Sequence, residues 1–276
     1  MTVQQLPHAA RGGAAGVIVA LLEQRTGQQL DIGRNWRIDS TLQPLLRERS
    51  LGSIDELVAR MVVDADPGLA DAVVDALLNQ ETSFFRDAAV IELVAQAAAN
   101  MAQEAGDRRL RIWSAACSTG QEPLSLAMLF TERHLQTGMS IPEIRATDLS
   151  ARVLARARAG RYTQFEIQRG LPIRRMVQWF DARDDMWEAK AELRYRILYA
   201  VHNLIADPLP PGRFDIVLCR NVLLYLSPDM RRLVLDRLAT ALRPGGLLVL
   251  GAGETVIGQT DALVPSERYR GLYRPA

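Results

Sequence analysis

The early part of the chain repeats apolar residues three and four positions apart, which is the spacing of amphipathic helices. Four such stretches follow one another within residues 14–79. Ser53 with Glu56 makes a capping box for the third, and Asp66 followed by proline begins the fourth. The pattern predicts a small all-helical domain at residues 14–79, after a disordered lead-in at residues 1–13. The predicted inward-facing side chains are Val17, Ile18, Leu21, Leu22, Ile38, Leu42, Leu45, Leu46, Leu69, Val73 and Leu77.

Beyond this region, helical stretches alternate with short apolar runs that suit buried strands. Such alternation, with a strand, a small-residue loop and a helix at residues 110–129, fits an open α/β sheet. Residues 161–195 interrupt it with a mixed pattern and are predicted to be an inserted subdomain. An alanine-rich helix is expected at residues 88–105, and strands at residues 110–114, 143–147, 195–201, 214–220, 247–250 and 269–274.

The junction after the first of these strands is the clearest candidate for a ligand site. Six mostly small residues, 115–120, separate the strand from a helix that Pro123 helps to begin. In an open α/β sheet, this is where a ligand crevice forms. The loop has a single glycine, Gly120, so it does not match the glycine-rich phosphate fingerprints and favours a ligand without phosphate. An ordinary strand–helix junction is the alternative.

Polar residues follow several of the predicted strands. Asp148, at the end of the second strand, stands where this kind of fold binds a ribose through its hydroxyls, although Asp148 or Ser150 could instead cap the next helix. Glu122 could likewise complement a helix dipole. Asn203 follows another strand and offers both a donor and an acceptor. Its neighbour His202 is expected to be packed or exposed rather than catalytic.

Composition narrows the class of protein. The chain has 276 residues, with 48% hydrophobic and 24% charged, as soluble globular proteins do. A net charge of +1 argues against wholesale binding of nucleic acid. The two cysteines, Cys117 and Cys219, and three scattered histidines predict no metal site and fit a reducing cytosol. No apolar run is long enough to span a membrane, so a cytoplasmic protein is expected.

Four strings in order give the chain a family resemblance over nearly its full length. They are Q-E-T-S-F-F-R at residues 80–86, W-S-A-A-C-S-T-G-Q-E-P-L-S at 113–125, A-T-D-L-S at 146–150 and C-R-N-V-L-L-Y-L at 219–226. Together they resemble the CheR-type chemotaxis receptor methyltransferases, which use S-adenosylmethionine. The resemblance implies a class I, Rossmann-like methyltransferase sheet with an antiparallel last strand. It also implies a helical receptor-docking domain at residues 14–79 and a catalytic domain at residues 80–276.

The same resemblance implies roles for individual residues. Arg86 and Tyr225 would act at the methyl group, Arg86 by holding the acceptor carboxylate and Tyr225 by orienting the transfer. Two positions depart from the family pattern, because Gln80 replaces an asparagine and Gln121 replaces the first of two glutamates. The implied cofactor-binding residues are Gln80, Thr82, Arg86, Glu122, Asp148, Asn203, Leu204, Arg220 and Asn221.

The partner implied by the resemblance is the cytoplasmic helical domain of a chemoreceptor, bound by a monomer. The second predicted helix carries or adjoins Arg34, Arg37, Arg47 and Arg49. These arginines are either a solvated face or a docking surface for an acidic helical partner. Thr41 stands where the family leads us to expect another arginine. Two other functions stay open: methylation of a different substrate, and binding of the cofactor without turnover.

Overall fold

A computed structural model describes residues 13–30, 35–63 and 66–276, and for residues 35–37 and 67 it describes the backbone alone. The chain divides into two compact units. The first runs to Asn79 and also includes Tyr225–Met230; the second comprises Gln80–Leu224 and Arg231–Ala276. The domain boundaries inferred from the sequence stay a prediction, and they did not anticipate the grouping of Tyr225–Met230 with the helical unit. The predicted lead-in lies outside the described residues except for Gly13, which begins the first helix.

The helices and strands, in chain order, are α1 Gly13–Thr26, α2 Asn35–Glu48, α3 Ile54–Val63, α4 Pro67–Leu77, α5 Ala88–Ala105, β1 Arg111–Ala115, α6 Gln121–Thr137, β2 Glu143–Asp148, α7 Ala151–Ala159, β3 Arg161–Thr163, α8 Gln164–Gln168, α9 Ile173–Trp179, β4 Phe180–Arg183, β5 Met186–Ala189, α10 Ala191–Arg194, β6 Ile197–Val201, β7 Phe214–Cys219, a 3₁₀ turn Leu223–Tyr225, α11 Pro228–Ala241, β8 Leu242–Leu250, β9 Leu263–Pro265 and β10 Leu272–Pro275.

Helices α1 to α4 surround a core of their own in the first unit. Most of the residues predicted to face inward are buried in it, among them Ile18, Leu22 and Leu42. The caps form where the sequence suggested: the Asp66 carboxylate accepts the amides of the first turn of α4, and the Ser53 hydroxyl accepts the amide of Glu56. The Glu56 carboxylate accepts from the amide of residue 52 rather than from Ser53.

The second unit is built on a seven-stranded sheet in the order β6-β2-β1-β7-β8-β10-β9. The first five strands in this order, β6, β2, β1, β7 and β8, are parallel to one another. Strand β10 is antiparallel to both of its neighbours, β8 and β9. All six residues of the central strand β7 are buried, which explains its continuous apolar run. The predicted α/β fold with an antiparallel strand near its end is confirmed.

Several details of the second unit differ from the sequence interpretation. Residues 161–195 contain a three-stranded antiparallel sheet, β3-β5-β4, which the mixed pattern did not reveal. Strand β8 begins at Leu242, so the Pro-Gly-Gly run lies in that strand, opposite a register shift in β7, rather than ending the helix. On α11 the buried side includes Leu235, whereas Leu233 is 38% exposed. The helical spacing predicts an inward side of Met230, Leu233, Val234, Leu238 and Leu242, and the last three of these are buried.

Candidate active site

The loop after β1 is tightly built, and at Gly120 it has no room for a side chain. Ala116 and Ser118 adopt left-handed φ angles of 57° and 51°, and Gly120 has a φ of 91°. A Cβ atom on Gly120 would stand 2.9 Å from the Cβ of Ala157 and 3.0 Å from the hydroxyl of Tyr199. Only glycine therefore lets the loop pass this close to α7 and β6.

Asp148 ties this loop to the end of β2. One carboxylate oxygen accepts the backbone amide of Ser118 at 2.8 Å, and the other accepts that of Ser150 at 3.0 Å. The cap of α7 is the Ser150 hydroxyl, which accepts from the amide of Val153 at 3.2 Å. Each oxygen of a carboxylate can accept a second hydrogen bond. Asp148 is thus held in place between the loop after β1 and the start of α7.

Glu122 and Arg220 meet in a buried ion pair. Arg220 Nη1 donates to one oxygen of Glu122 at 3.0 Å, and the hydroxyl of Ser114 donates to the other at 2.7 Å. The Arg220 side chain is 3% exposed and that of Glu122 13%. The Nη2 atom of Arg220 donates to the carboxylate of Asp87 at 2.6 Å and to the carbonyl of Arg86 at 2.8 Å.

These contacts use the two Nη atoms of Arg220 and leave its Nε–H unused. Within the part of the chain that the structure describes, its buried Nε–H has no partner. Glu122 also lies in the first turn of α6, so complementing the helix dipole and pairing with Arg220 are compatible roles.

Residues 80–87 are held against the rest of the second unit by an aromatic pair, Phe84 and Phe85, and by backbone hydrogen bonds. Phe84 is fully buried and meets the ring of Tyr162 edge to face at 5.0 Å. The amide of Phe85 donates to the hydroxyl of Ser125 at 3.0 Å. Phe85 itself has a φ of 48°, which costs a bulky residue on the order of 1–3 kcal/mol and persists only where the surroundings impose it.

The same segment also contacts the loop after β1. The hydroxyl of Ser118 donates to the carbonyl of Gln80 at 2.8 Å. Thr82 and Arg86 are half-exposed, and Arg86 Nη1 reaches the carbonyl of Glu81 at 3.3 Å. A hydrogen bond from Arg169 lowers the pKa of the Glu81 carboxyl.

Asn203 and Leu204 follow β6 in a tight turn. The amide oxygen of Asn203 accepts the backbone N–H of Ile205 at 3.0 Å, and its own backbone N–H donates to Asp207 at 2.8 Å. The turn is joined to β2, since the amide of His202 donates to the carbonyl of Asp148 at 2.9 Å. An adenine edge would therefore have to share the Asn203 oxygen with the Ile205 amide.

His202 is a packing residue. Its ring is buried against Trp113 at 5.5 Å, and Nε2 lies 3.1 Å from the carbonyl of Pro208. Burial lowers the pKa of this histidine. It is therefore neutral near pH 7 and held by packing.

Asn221, after β7, lies against the loop that follows β8. It has a left-handed φ of 60°, and a Cβ atom on Gly251 would stand 2.6 Å from its Nδ2. Its buried Oδ1 has no hydrogen-bond partner among residues 13–30, 35–63 and 66–276. An acceptor in that state suits a ligand that brings its own donor.

Glu254 is the residue of this region that the sequence interpretation missed. Its carboxylate accepts the backbone amides of Gly251, Asn221, Val222 and Leu223 at 2.8–2.9 Å. The only local signal was a Gly-x-x-Glu run directly after a buried strand.

Tyr225 lies in the first unit, whereas the predicted cofactor-binding residues all lie in the second. Its hydroxyl bonds to the side-chain amide of Asn79, and its carbonyl accepts the amide of Gln29 at 2.8 Å. A cavity of about 430 Å³ opens beside it, and its polar lining includes Gln28 and Thr41. The other residues that line this cavity are uncharged, some polar and some apolar.

Of the predicted docking arginines, Arg47 and Arg49 are exposed on and just after α2. Arg34 lies outside the described residues, and for Arg37 only the backbone is described. No helix in the described ranges combines the length and apolarity needed to cross a membrane. The same ranges contain no group of three or more His, Cys, Asp or Glu side chains arranged to hold a metal ion.

Comparison with known proteins points to one family. The family model "CheR methyltransferase, SAM binding domain" matches residues 80–270. Chemotaxis protein methyltransferase 1 of Pseudomonas aeruginosa is 38% identical over 248 residues, covering 87% of this chain and 89% of that protein. Chemotaxis protein methyltransferase 1 of Vibrio cholerae is 39% identical over 244 residues, covering 87% and 88%. A solved TehB-like SAM-dependent methyltransferase from Corynebacterium glutamicum is 17% identical, with a TM-score of 0.37 over 68% of this chain and 99% of that one, too low to carry an argument.

The family model covers well over half of the chain, and the curated relatives align with nearly all of it. The cofactor expected from the sequence, S-adenosylmethionine, is that of the matched family model. The chain belongs to the CheR family of S-adenosylmethionine-dependent methyltransferases.

Proposed function

We propose that this enzyme methylates glutamate side chains in the cytoplasmic helical domain of chemoreceptors, giving glutamate 5-O-methyl esters and S-adenosylhomocysteine in sensory adaptation. The observation that carries the proposal is identity of 38–39% to proteins named chemotaxis protein methyltransferase, over 87% of this chain. The cytoplasmic location and the monomeric state inferred from the sequence belong to the same proposal. Two buried free cysteines support that location.

The residues at the strand ends fit the cofactor. S-adenosylmethionine supplies an electrophilic methyl group on a sulfonium, and it also carries an ammonium, a carboxylate and a ribose. Glu122 and the unpartnered Oδ1 of Asn221 are acceptors for the ammonium. The unused Nε–H of Arg220 is a donor for the carboxylate, and the fixed carboxylate of Asp148 is an acceptor for ribose hydroxyls.

Two further groups of residues would contact the cofactor. Gln80, Thr82 and Arg86 would close over the cofactor, since the carbonyl of Gln80 is already bonded to the loop after β1. Asn203 and Leu204 would meet the adenine. The Asn203 oxygen would be shared in this contact, because it already accepts the Ile205 amide.

A glutamate acceptor needs no general base, because its carboxylate is ionised at neutral pH. His202 agrees with this chemistry, being buried and held neutral by packing. Positioning of the carboxylate in line with the methyl group, with water excluded, would supply most of the rate. Arg86 would hold the incoming carboxylate through its fork of donors. Tyr225 would orient it, and Asn79 fixes the direction of that hydroxyl.

The helical unit would bind the receptor. Arg47 and Arg49 are exposed, and among the described residues Arg49 lies 3.9 Å from the Glu48 carboxylate. Such cations are available to an acidic helix, with an attraction that salt screens. Thr41 is half-buried at the cavity beside Tyr225, so it lies off the exposed arginine face.

Incubation with labelled S-adenosylmethionine and candidate acceptors tests the proposal. Label should enter cytoplasmic receptor fragments and not small-molecule amines or carboxylates. Transfer only to a small molecule would favour a different methyltransferase. Binding of the cofactor without transfer to any acceptor would favour a module without turnover.

A further inference from the structure

A single carboxylate holds the backbone that leads from β7 toward Tyr225. Glu254 Oε2 accepts the amides of Asn221 and Gly251, both at 2.8 Å. Oε1 accepts those of Val222 at 2.9 Å and Leu223 at 2.8 Å, with that of residue 224 at 3.3 Å. Backbone amides bonded to an ionised acceptor make hydrogen bonds roughly twice as strong as neutral ones. Every amide from residue 221 to residue 224 is therefore tied to one side chain thirty residues away.

The segment so held would not take this conformation by itself. Asn221 has a φ of 60°, a left-handed angle that costs a non-glycine residue on the order of 1–2 kcal/mol. Four successive amides that point toward one side also form a concave positive surface, which needs an anion. Glu254 supplies that anion from within the chain.

The loop that carries Glu254 packs closely against the segment of residues 221–224. A Cβ atom on Gly251 would stand 2.9 Å from the backbone nitrogen of Asn221, so any side chain at position 251 would push the two loops apart. The approach also places the buried Oδ1 of Asn221, which has no partner in the described part of the chain.

We propose that Glu254 is a positioning residue for methyl transfer: its carboxylate fixes residues 221–224 and thereby places both Asn221, for the cofactor, and Tyr225, for the acceptor. The roles of Asn221 and Tyr225 both rest on the function and the site residues proposed above. Glu254 itself would touch neither cofactor nor acceptor. Its effect on the reaction passes through the backbone amides that it binds.

Glu254→Gln is the most direct test, because it keeps the shape and replaces one acceptor oxygen by a donor that faces amide N–H groups. Hydrogen exchange of residues 221–225 should be faster by about tenfold or more, and kcat for receptor methylation should fall about 10–100-fold, as for a misplacement of about 1 Å. KM for receptor should change far less. Gly251→Ala should give the same pattern, and Glu254→Asp, which keeps the charge, a milder one.

The matched control is Glu267→Gln, because the Glu267 side chain is 94% exposed and only 4.0 Å from Arg274. It should leave exchange and kcat unchanged. Unchanged exchange at residues 221–225 in Glu254→Gln would overturn the proposal, and so would unchanged kcat. Faster exchange throughout the second unit, with a large fall in Tm, would also overturn it by making Glu254 a general stabilising residue. Exchange and the affinity for S-adenosylhomocysteine need no receptor, so they test Glu254 even if receptors prove not to be the substrate.

Discussion

Arg220→Met tests how much the buried ion pair between Arg220 and Glu122 stabilises the second unit. Methionine is of similar length but leaves Glu122 without its counter-charge. The Glu122 side chain is 13% exposed, so this half of the network counts as buried, and removing one partner of a buried pair costs about 3–5 kcal/mol. The Asp87 side chain is 39% exposed and can be hydrated, so its pair with Arg220 adds only about 0–1 kcal/mol. The bond from Ser114 to Glu122 survives and reduces the loss. We expect a net loss of about 3–4 kcal/mol in the free energy of unfolding.

Urea unfolding followed by tryptophan fluorescence measures this loss, since Trp113 is fully buried in β1 and reports on the second unit. The double variant Arg220→Met, Glu122→Gln should recover at least about half of it, because no uncompensated carboxylate remains. It should not recover affinity for S-adenosylhomocysteine, since both proposed contacts are lost. Arg232→Met is the control, because that side chain is 63% exposed and its pair with Asp236 spans 4.0 Å. A loss below about 1 kcal/mol, or no recovery in the double variant, would refute this reasoning.

Four further outcomes are expected. Asp148→Ala should weaken S-adenosylhomocysteine binding by about 1–3 kcal/mol in calorimetry, since the lost carboxylate fixes the loop at Ser118; unchanged affinity in a folded variant would remove Asp148 from the site. Tyr225→Phe should keep cofactor affinity but lower kcat about 10–100-fold at saturating substrates, as for an interaction made chiefly in the transition state; equal turnover would leave this tyrosine as a packing residue. Reversing the exposed Arg47 to Glu should slow receptor methylation, most at low salt, without changing cofactor affinity; no effect of either salt or reversal would place docking elsewhere. Because burial lowers the pKa of His202 below about 6.5, the unfolded chain binds the proton first, so stability should fall as pH drops below that value, and His202→Phe should flatten the dependence in urea unfolding between about pH 5 and 7; an equally steep dependence in the variant would assign the effect to other groups.

The parts of the fold that could be predicted are those that local patterns determine. A strand buried on both faces, such as β7, has a continuous apolar run, and α5 has an unbroken apolar stripe with alanines. The small sheet at residues 161–189 was missed because β3 has three residues and β4 and β5 four each. At that length a period of two cannot be told from chance.

The sequence allowed individual residues of the site to be predicted, but not the partners that they contact. Asp148 and Glu122 stand out because each follows a strand or begins a helix. Glu254 has only the weak signal of a Gly-x-x-Glu run after a strand, because its importance arises when two loops about thirty residues apart in the chain meet. The same holds for Asp87, which meets Arg220 across 133 positions of sequence. Partners chosen by tertiary proximity leave little signal in a single sequence.

The chemical stability of the methylated product tests most directly whether the acceptor is a glutamate carboxylate. A receptor cytoplasmic fragment labelled by this enzyme from methyl-labelled S-adenosylmethionine is treated with mild base, and volatile methanol is measured. Methyl esters hydrolyse under these conditions, whereas methylated amines do not. We predict that nearly all of the label is released as methanol, and that replacing the labelled glutamates by alanine abolishes labelling. Label that stays on the protein after base, or that persists in the alanine variants, would contradict glutamate ester formation.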